Sequence, residues 1–346
     1  MKWRLAKACA LCIPLWLAMT ASSLATTASP NDVQDVVPGV NLPSGSFGSP
    51  GDRREFDYTY PKNSDIDYFN DKGFKSFRIS FLAKRLLSRD ASGRLVLTDD
   101  MNSLNELIDY AASKGATVIL DMHDYGLTMS EKLIGRDPGS IEEFADQWRT
   151  IAKEVAQRPN VVFGLMNEPN RQSAAEWLKG ANAAVAAIRQ TGAKQLVLVP
   201  GSHWDSAVTW TSTDNAEVMT GFQDPGNNFA FEAHQYLDSN NSGTSPIAVA
   251  GAGSKRLVDF TEWARKHNFR AVLGEFGWAV NEAAQKEGYD MLCYMSRNRD
   301  VWQSWDYWAG GPWWGDYMYS IQPSNGEDRP QMSVLSQFLN REDSKC

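Results

Sequence analysis

Val161-Val162-Phe163-Gly164-Leu165-Met166-Asn167-Glu168-Pro169 is an unbroken apolar run that stops at a polar pair and a proline. A strand buried on both faces reads this way, and the run is too short for a helix. Working outward from it, similar runs recur at residues 39–42, 74–82, 116–123, 195–200, 229–236, 271–276 and 301–308, with 161–167 fourth in order. The last alternates more, carrying Gln303, Ser304 and Asp306 between its tryptophans. Amphipathic stretches separate the runs. Leu104, Leu107, Ile108 and Ala111 fall at i, i+3, i+4, i+7. Ser140 and Glu143 have the spacing of a capping box ahead of Phe144, Trp148, Ile151, Ala152 and Val155. Trp177, Ala181, Ala184, Val185 and Ile188 make a third stripe, Leu257, Phe260 and Ala264 a fourth, and residues 283–297 a fifth. Residues 205–226 carry little helical signal and read as a long loop. Eight strands alternating with helices in 346 residues predict a single (β/α)8 barrel, a TIM barrel. A doubly wound sheet would need a glycine-rich phosphate turn after its first strand, and Gly45-Ser46-Phe47-Gly48 does not supply one.

The first 25 residues fall outside that pattern. Lys2, Arg4 and Lys7 precede an apolar stretch at 8–19, and Ser23-Leu24-Ala25 offers small residues for cleavage. This is the layout of a secretory signal, with an apolar core too short to span a bilayer. Residues 1–25 are therefore expected to be a signal peptide and 26–346 the barrel domain of a secreted, extracellular or periplasmic, protein free of the membrane. Cys9 and Cys12 leave with the signal, and Cys293 and Cys346 remain. Two cysteines cannot make a four-ligand zinc site, but in an oxidising compartment they can form one disulfide. The alternative is a buried Cys293 and a free terminal thiol. The chain carries 34 Lys+Arg against 42 Asp+Glu, a formal net charge of -8. No basic stripe is present, so nucleic acid is not an expected partner.

Active sites of barrels lie at the C-terminal ends of the strands. The polar and aromatic residues closing the runs are Arg78, His123, Asn167, Glu168, His234, Tyr236, Glu275 and Trp308. Glu168 and Glu275 dominate this set, because a carboxylate ending an apolar run is costly to bury unless it is paired or protonated. Two carboxylates facing each other across one mouth suit glycosidic cleavage, in which one protonates the leaving oxygen and the other attacks the sugar or activates water. No G-x-S-x-G elbow is present, and the four histidines show no H-x-H or H-E-x-x-H spacing. No metal or organic cofactor is therefore expected, and a metal-dependent hydrolase is the alternative that a chelator would test. A barrel that binds glycans without cleaving them is the rival of another class.

The ordered set Gly39-Val40-Asn41-Leu42, Phe77-Arg78-Ile79, Asp121-Met122-His123-Asp124-Tyr125, Met166-Asn167-Glu168-Pro169, His234-Gln235-Tyr236, Gly274-Glu275 and Tyr307-Trp308 resembles glycoside hydrolase family 5. Tyr236-Leu237-Asp238-Ser239-Asn240-Asn241-Ser242-Gly243 and Trp308-Ala309-Gly310-Gly311-Pro312-Trp313-Trp314-Gly315-Asp316 are similar to its secreted endo-β-1,4-glucanases, or cellulases. Asp124 departs from the asparagine common there.

The resemblance implies a retaining double displacement, with Glu168 as general acid/base and Glu275 as nucleophile, their carboxyl groups about 5–5.5 Å apart. Arg78 would favour the ionised form of Glu275, and Tyr236 would orient it. Asn167 would hold the sugar 2-hydroxyl, His123 and His234 would bond the sugar or the carboxylates, and Trp308 would floor that subsite. Of 13 tryptophans, Trp204, Trp313 and Trp314 are candidate sugar platforms, whereas Trp148, Trp177 and Trp263 sit in helical stripes and read as core. The expected substrate is a β-glucan polysaccharide and the expected state a monomer; a β-mannanase or xyloglucanase is the alternative on the same scaffold.

Overall fold

A computed structural model describes residues 36–49, 53–339 and 346, so the predicted signal peptide lies outside the described residues. Eight parallel strands close into a barrel in sequence order: β1 (Val37–Asn41), β2 (Ser76–Phe81), β3 (Thr117–Met122), β4 (Val161–Gly164), β5 (Val197–Pro200), β6 (Phe229–His234), β7 (Ala271–Phe276) and β8 (Trp302–Tyr307). Closure comes from β1, which pairs with β2 (Asn41 opposite Arg78) and with β8 (Gly39 opposite Asp306). A two-stranded hairpin, Leu87–Arg89 with Leu95–Leu97, lies outside the barrel and has no counterpart in the expected pattern.

Six helices of ten residues or more surround the strands: α1 (Asn63–Lys72), α2 (Asp100–Ser113), α3 (Ser140–Val155), α4 (Ala174–Gln190), α5 (Ala252–Lys266) and α6 (Glu282–Arg297). Their apolar stripes bury against the outside of the barrel in one continuous cluster. The expected capping box at Ser140 does not form. Gly139, with φ +72°, caps α3, while the Ser140 hydroxyl accepts from the Gly135 N–H at 3.0 Å. The reciprocal pair occurs instead at α4, where Ser173 and Glu176 satisfy each other's backbone N–H groups. Two helix tryptophans reach strand ends: Trp148 Nε1 donates to Leu165 O at 3.0 Å and Trp177 Nε1 to Pro200 O at 2.7 Å. These bonds satisfy buried indoles and pin the backbone just below the mouth. Between β5 and β6 the chain forms the 3-10 helices His203–Asp205, Ala207–Ser212 and Met219–Gly221 and the four-residue α-helix Asn215–Val218.

The barrel interior is layered. Toward the N-terminal end Ile119, Leu198, Ala230 and Val272 make a small apolar cluster. Above it sit fully buried ionisable groups, Arg78, Asp121, Glu232 and Asp306. At the periphery Cys293 of α6 is bonded to Cys346, with Cα atoms 5.3 Å apart. Among the described residues no helix is long and apolar enough to cross a membrane.

Candidate active site

Arg78 organises the mouth from below. Its Nε donates to Glu232 Oε1 at 3.0 Å, Nη1 to Asn41 Oδ1 at 2.9 Å, and Nη2 to both Asp121 Oδ1 and Asn167 Oδ1 at 3.0 Å. Burial disfavours the guanidinium charge, but Asp121, Glu232, Glu275 and Asp205 outweigh it and push the pKa upward. Asp121 shows the reciprocal effect. Its burial alone would raise its pKa, yet Arg78, His123 and the Ser80 hydroxyl hold it at about 2. Asp121 Oδ2 also meets His123 Nδ1 at 2.7 Å, and the His123 ring stacks against Trp308 with 14° between planes.

Glu168 stands past the end of β4, beyond Leu165, Met166 and Asn167, with φ +44°, a backbone state that L residues adopt at a cost of about 1 kcal/mol or more. The Asn170 amide donates to Glu168 O at 3.0 Å and holds the turn. Glu275 lies within β7, where regular alternation would send it away from the interior that Val272 and Gly274 face. A register irregularity intervenes: Ala233 pairs with Leu273, but His234 pairs with Glu275. This bulge re-aims Glu275 into the mouth. Gly274 permits it, since a Cβ there would lie 2.0 Å from Glu232 Oε1.

The Tyr236 hydroxyl donates to Glu275 Oε1 at 2.6 Å. Arg78 Nη1 and His234 Nδ1 stand 3.6 and 3.7 Å from Glu275 Oε2. His234 Nδ1 is also 2.9 Å from Glu168 Oε1 and 3.5 Å from Asp205 Oδ1. One carboxyl oxygen of Glu168, one of Glu275 and a ring nitrogen of His234 all lie within 4.8 Å of one another. The three could converge on a cation, but His234–Glu168 and Tyr236–Glu275 already spend their closest atoms on hydrogen bonds.

Arg78 favours the ionised form of Glu275, as expected, but it does not set the net shift. Burial raises the pKa of Glu275, and His234 and Arg78 offset this only in part. Arg78 is committed to nearer acceptors, so its pull at 3.6 Å does not win. His234 is pushed well up: burial opposes its charge, but Asp205, Glu275, Glu168 and Glu232 surround it. Burial likewise raises Asp205, whose carboxyl oxygens have no hydrogen-bond partner among the described residues.

A cleft of about 960 Å³ lies over this cluster, bounded by Glu168, His234, Tyr236, Glu275, Trp204 and Trp308. Trp204 is 53% exposed and belongs to three successive left-handed residues, His203, Trp204 and Asp205 (φ +57°, +62°, +39°). That run throws Trp204 outward, edge-on to Tyr125 at 6.2 Å, and buries Asp205 beneath His234.

The family model described as cellulase (glycosyl hydrolase family 5) matches residues 38–311. The chain belongs to glycosyl hydrolase family 5. Endo-beta-1,4-glucanase A of Emericella nidulans is 33% identical over 305 residues, spanning 86% of this chain and 90% of the relative. An endo-beta-1,4-glucanase of Xanthomonas axonopodis pv. citri superposes with a TM-score of 0.84 at 38% identity, covering 89% of this chain and 99% of that one. XacCel5A in complex with cellopentaose gives 0.83 at 40% identity, covering 88% and 99%.

Within this family 5 barrel the structure brings Arg78, His123, Asn167, Glu168, His234, Tyr236, Glu275 and Trp308 to one mouth, with Trp204 on its rim. Trp313 and Trp314 do not line the cleft. Trp313 is 47% exposed outside it, and Trp314 packs behind Trp308, edge-on at 5.5 Å, and stacks on Tyr317. Trp148, Trp177 and Trp263 are core, as are Trp210, Trp278, Trp302 and Trp305. Asp124 accepts the Ala83 N–H at 2.8 Å, and burial pushes its carboxyl up to about 7. Sequence reading missed Asp121, Glu232 and Asp205. The first two stand two residues before His123 and His234, so strand alternation was a usable signal. Asp205 offered none.

Proposed function

We infer that this chain is a retaining endo-β-1,4-glucanase, cleaving internal bonds of cellulose-type β-glucans. The observation that carries the reading is the approach of Glu168 and Glu275 oxygens to within 4.8 Å. A carboxyl separation of about 5–5.5 Å leaves no space for an intervening water and favours attack by the enzyme itself. The open cleft and the relative that binds cellopentaose support a polymeric glucan substrate.

In the first step a Glu275 oxygen bonds to the anomeric carbon while the glycosidic C–O bond breaks and Glu168 protonates the departing oxygen. In the second step Glu168 takes a proton from water, the water oxygen bonds to the same carbon, and the ester to Glu275 breaks. Tyr236 holds Glu275 through Oε1, while Oε2 is buried toward Arg78 and His234. The His234–Glu168 contact is the reservoir for the transferred proton. Asn167, oriented by Arg78, is the partner for the sugar 2-hydroxyl, and Trp308, backed by His123, is the flat floor below the ring. Trp204 is the platform for the leaving segment, because it shares the rim with the acid that must stand at the leaving oxygen. The enzyme acts as a secreted monomer once residues 1–25 are removed.

Purified protein should release reducing ends from carboxymethylcellulose faster than from glucomannan or xylan, with EDTA present. Proton NMR of the first products should show the β-anomer before mutarotation. Glucomannan as the preferred polymer would replace the glucanase reading with a mannanase; an α-anomer would end the retaining mechanism.

A further inference from the structure

Asp238 lies outside the reacting groups yet is almost wholly buried. Its carboxylate collects the far side of the loop after β6. Oδ1 accepts the Gly243 N–H at 3.2 Å; Oδ2 accepts the Thr244 and Ser245 N–H groups at 3.0 and 3.2 Å and the Ser242 hydroxyl at 3.2 Å. Asn241 N donates back to Asp238 O at 3.2 Å, closing the ring of bonds. Charge-assisted bonds to several backbone amides make a rigid loop without secondary structure.

The loop so fixed lies directly on the Tyr236 ring. A Cβ placed on Gly243 would meet Tyr236 Cδ1 and Cε1 at 2.7 Å, and Gly243 has φ +69°. Tyr319 also packs on Tyr236, 25° from parallel with ring centroids 5.9 Å apart, and its hydroxyl donates to Ser245 O at 2.6 Å, back into the same loop. Arg256 Nη1 donates to the Tyr236 carbonyl at 2.5 Å. Tyr236 thus packs against both Gly243 and Tyr319, with its hydroxyl 2.6 Å from Glu275 Oε1.

We propose that Asp238 and Gly243 are positioning residues for the nucleophile: the Asp238-centred loop fixes the Tyr236 ring so that its hydroxyl stays on Glu275. This rests on Glu275 being the nucleophile. A phenol that donates to a carboxylate favours the ionised form, so loosening Tyr236 raises the pH at which Glu275 becomes reactive. The other groups facing Glu275 are Arg78 from β2, His123 beyond β3, Glu168 beyond β4, His234 from β6, and the Tyr125 and Tyr317 hydroxyls. Neither Asp238 nor Gly243 is part of that ring, although Asp238 also acts on Tyr317 and Gly243 borders the cleft, so the double variant with Tyr236→Phe is what isolates the route through Tyr236.

The test uses the full chain and an aryl β-cellobioside with a good leaving group, whose cleavage needs the nucleophile but little acid assistance. Asp238→Ala, Gly243→Ala, Tyr236→Phe and the double variant Tyr236→Phe/Asp238→Ala are compared by kcat and KM from pH 4 to 8. Expected for both loop variants is a roughly tenfold fall in kcat, KM within about threefold, and an acid limb about one pH unit higher, as in Tyr236→Phe. The double variant should be no worse than Tyr236→Phe alone. Gly243→Ala keeps the test open if Asp238→Ala does not fold. An unmoved acid limb in the folded loop variants, while Tyr236→Phe shifts it, overturns the positioning role alone. An unmoved limb in Tyr236→Phe itself overturns the nucleophile reading beneath it.

Discussion

Arg78→Met tests how the interior charge layer supports the site. Methionine approximates the arginine stem but strands Asp121 and Glu232, each 3.0 Å from the guanidinium and buried. Asp121 is held at about 2 against an ordinary 3.8 by Arg78, His123 and Ser80 together, a total of about 2 kcal/mol of stability at neutral pH of which Arg78 carries the largest share. Glu232 and the Asn41 and Asn167 bonds add to this, and removing one partner of a buried ion pair costs about 3–5 kcal/mol in general. The expected loss is in that range, a fall in Tm of roughly 5–10 °C for a domain of this size. The sign with pH is defined. In the native protein the depressed Asp121 carboxyl contributes stability that is present above its unfolded pKa and lost as pH falls toward 2. In the variant both carboxyls lose the cation that offset their burial. The penalty at Asp121 is therefore largest at neutral pH and shrinks as acid protonates it. Thermal unfolding by circular dichroism at pH 7.5 and 4.5, with wild type alongside, reads both effects. A variant within about 1 kcal/mol of wild type at pH 7.5, or a gap that widens on acidification, would refute the reasoning.

Four further outcomes are expected. The Cys293–Cys346 bond closes a loop with a sequence separation of 53, so Cys293→Ser should destabilise by about 2–4 kcal/mol and lower Tm by several degrees without changing activity at 25 °C; an unmoved Tm would mean the bond does not constrain the chain. Burial pushes the Asp306 carboxyl up to about 7, so the native protein loses stability as pH rises from about 4 through 7 while the fold retains that proton. Asp306→Asn should remove this slope and exceed wild type by a few kcal/mol at pH 8, and parallel stability–pH curves would contradict the assignment. Trp204→Ala should raise KM for cellopentaose about tenfold with kcat within threefold. Trp314→Ala, which unseats Trp308 rather than a platform, should act mainly on kcat, and the reverse pattern would exchange their roles.

Much of this protein is written locally. The run 161–167, though its strand ends at Gly164, and the i, i+3, i+4 stripes at Leu104–Ala111 and Phe144–Val155 are period signals that neighbouring residues carry by themselves. Strand and helix order then leaves a barrel with its site at the strand ends, and Glu168 and Glu275 could be named as the pair. Cap choice was less legible: Ser140/Glu143 and Ser173/Glu176 share one spacing, and only the second pair has its N-cap residue in extended backbone.

What the tertiary structure decided is direction and charge. By alternation from Val272 the Glu275 side chain should point away from the interior; the irregular register against β6 turns it inward. Asp205 reaches His234, and Trp204 the rim, through three left-handed residues that no local pattern announces. The Glu275 pKa rises although Arg78 is near, because desolvation grows with every atom packed around the carboxylate while the guanidinium is shared among closer acceptors. Periodicity belongs to residues adjacent in the chain, so sequence carries it. Desolvation, shared charge and the aim of a bulged residue are sums over neighbours from many strands, and they acquire a value only when the barrel closes.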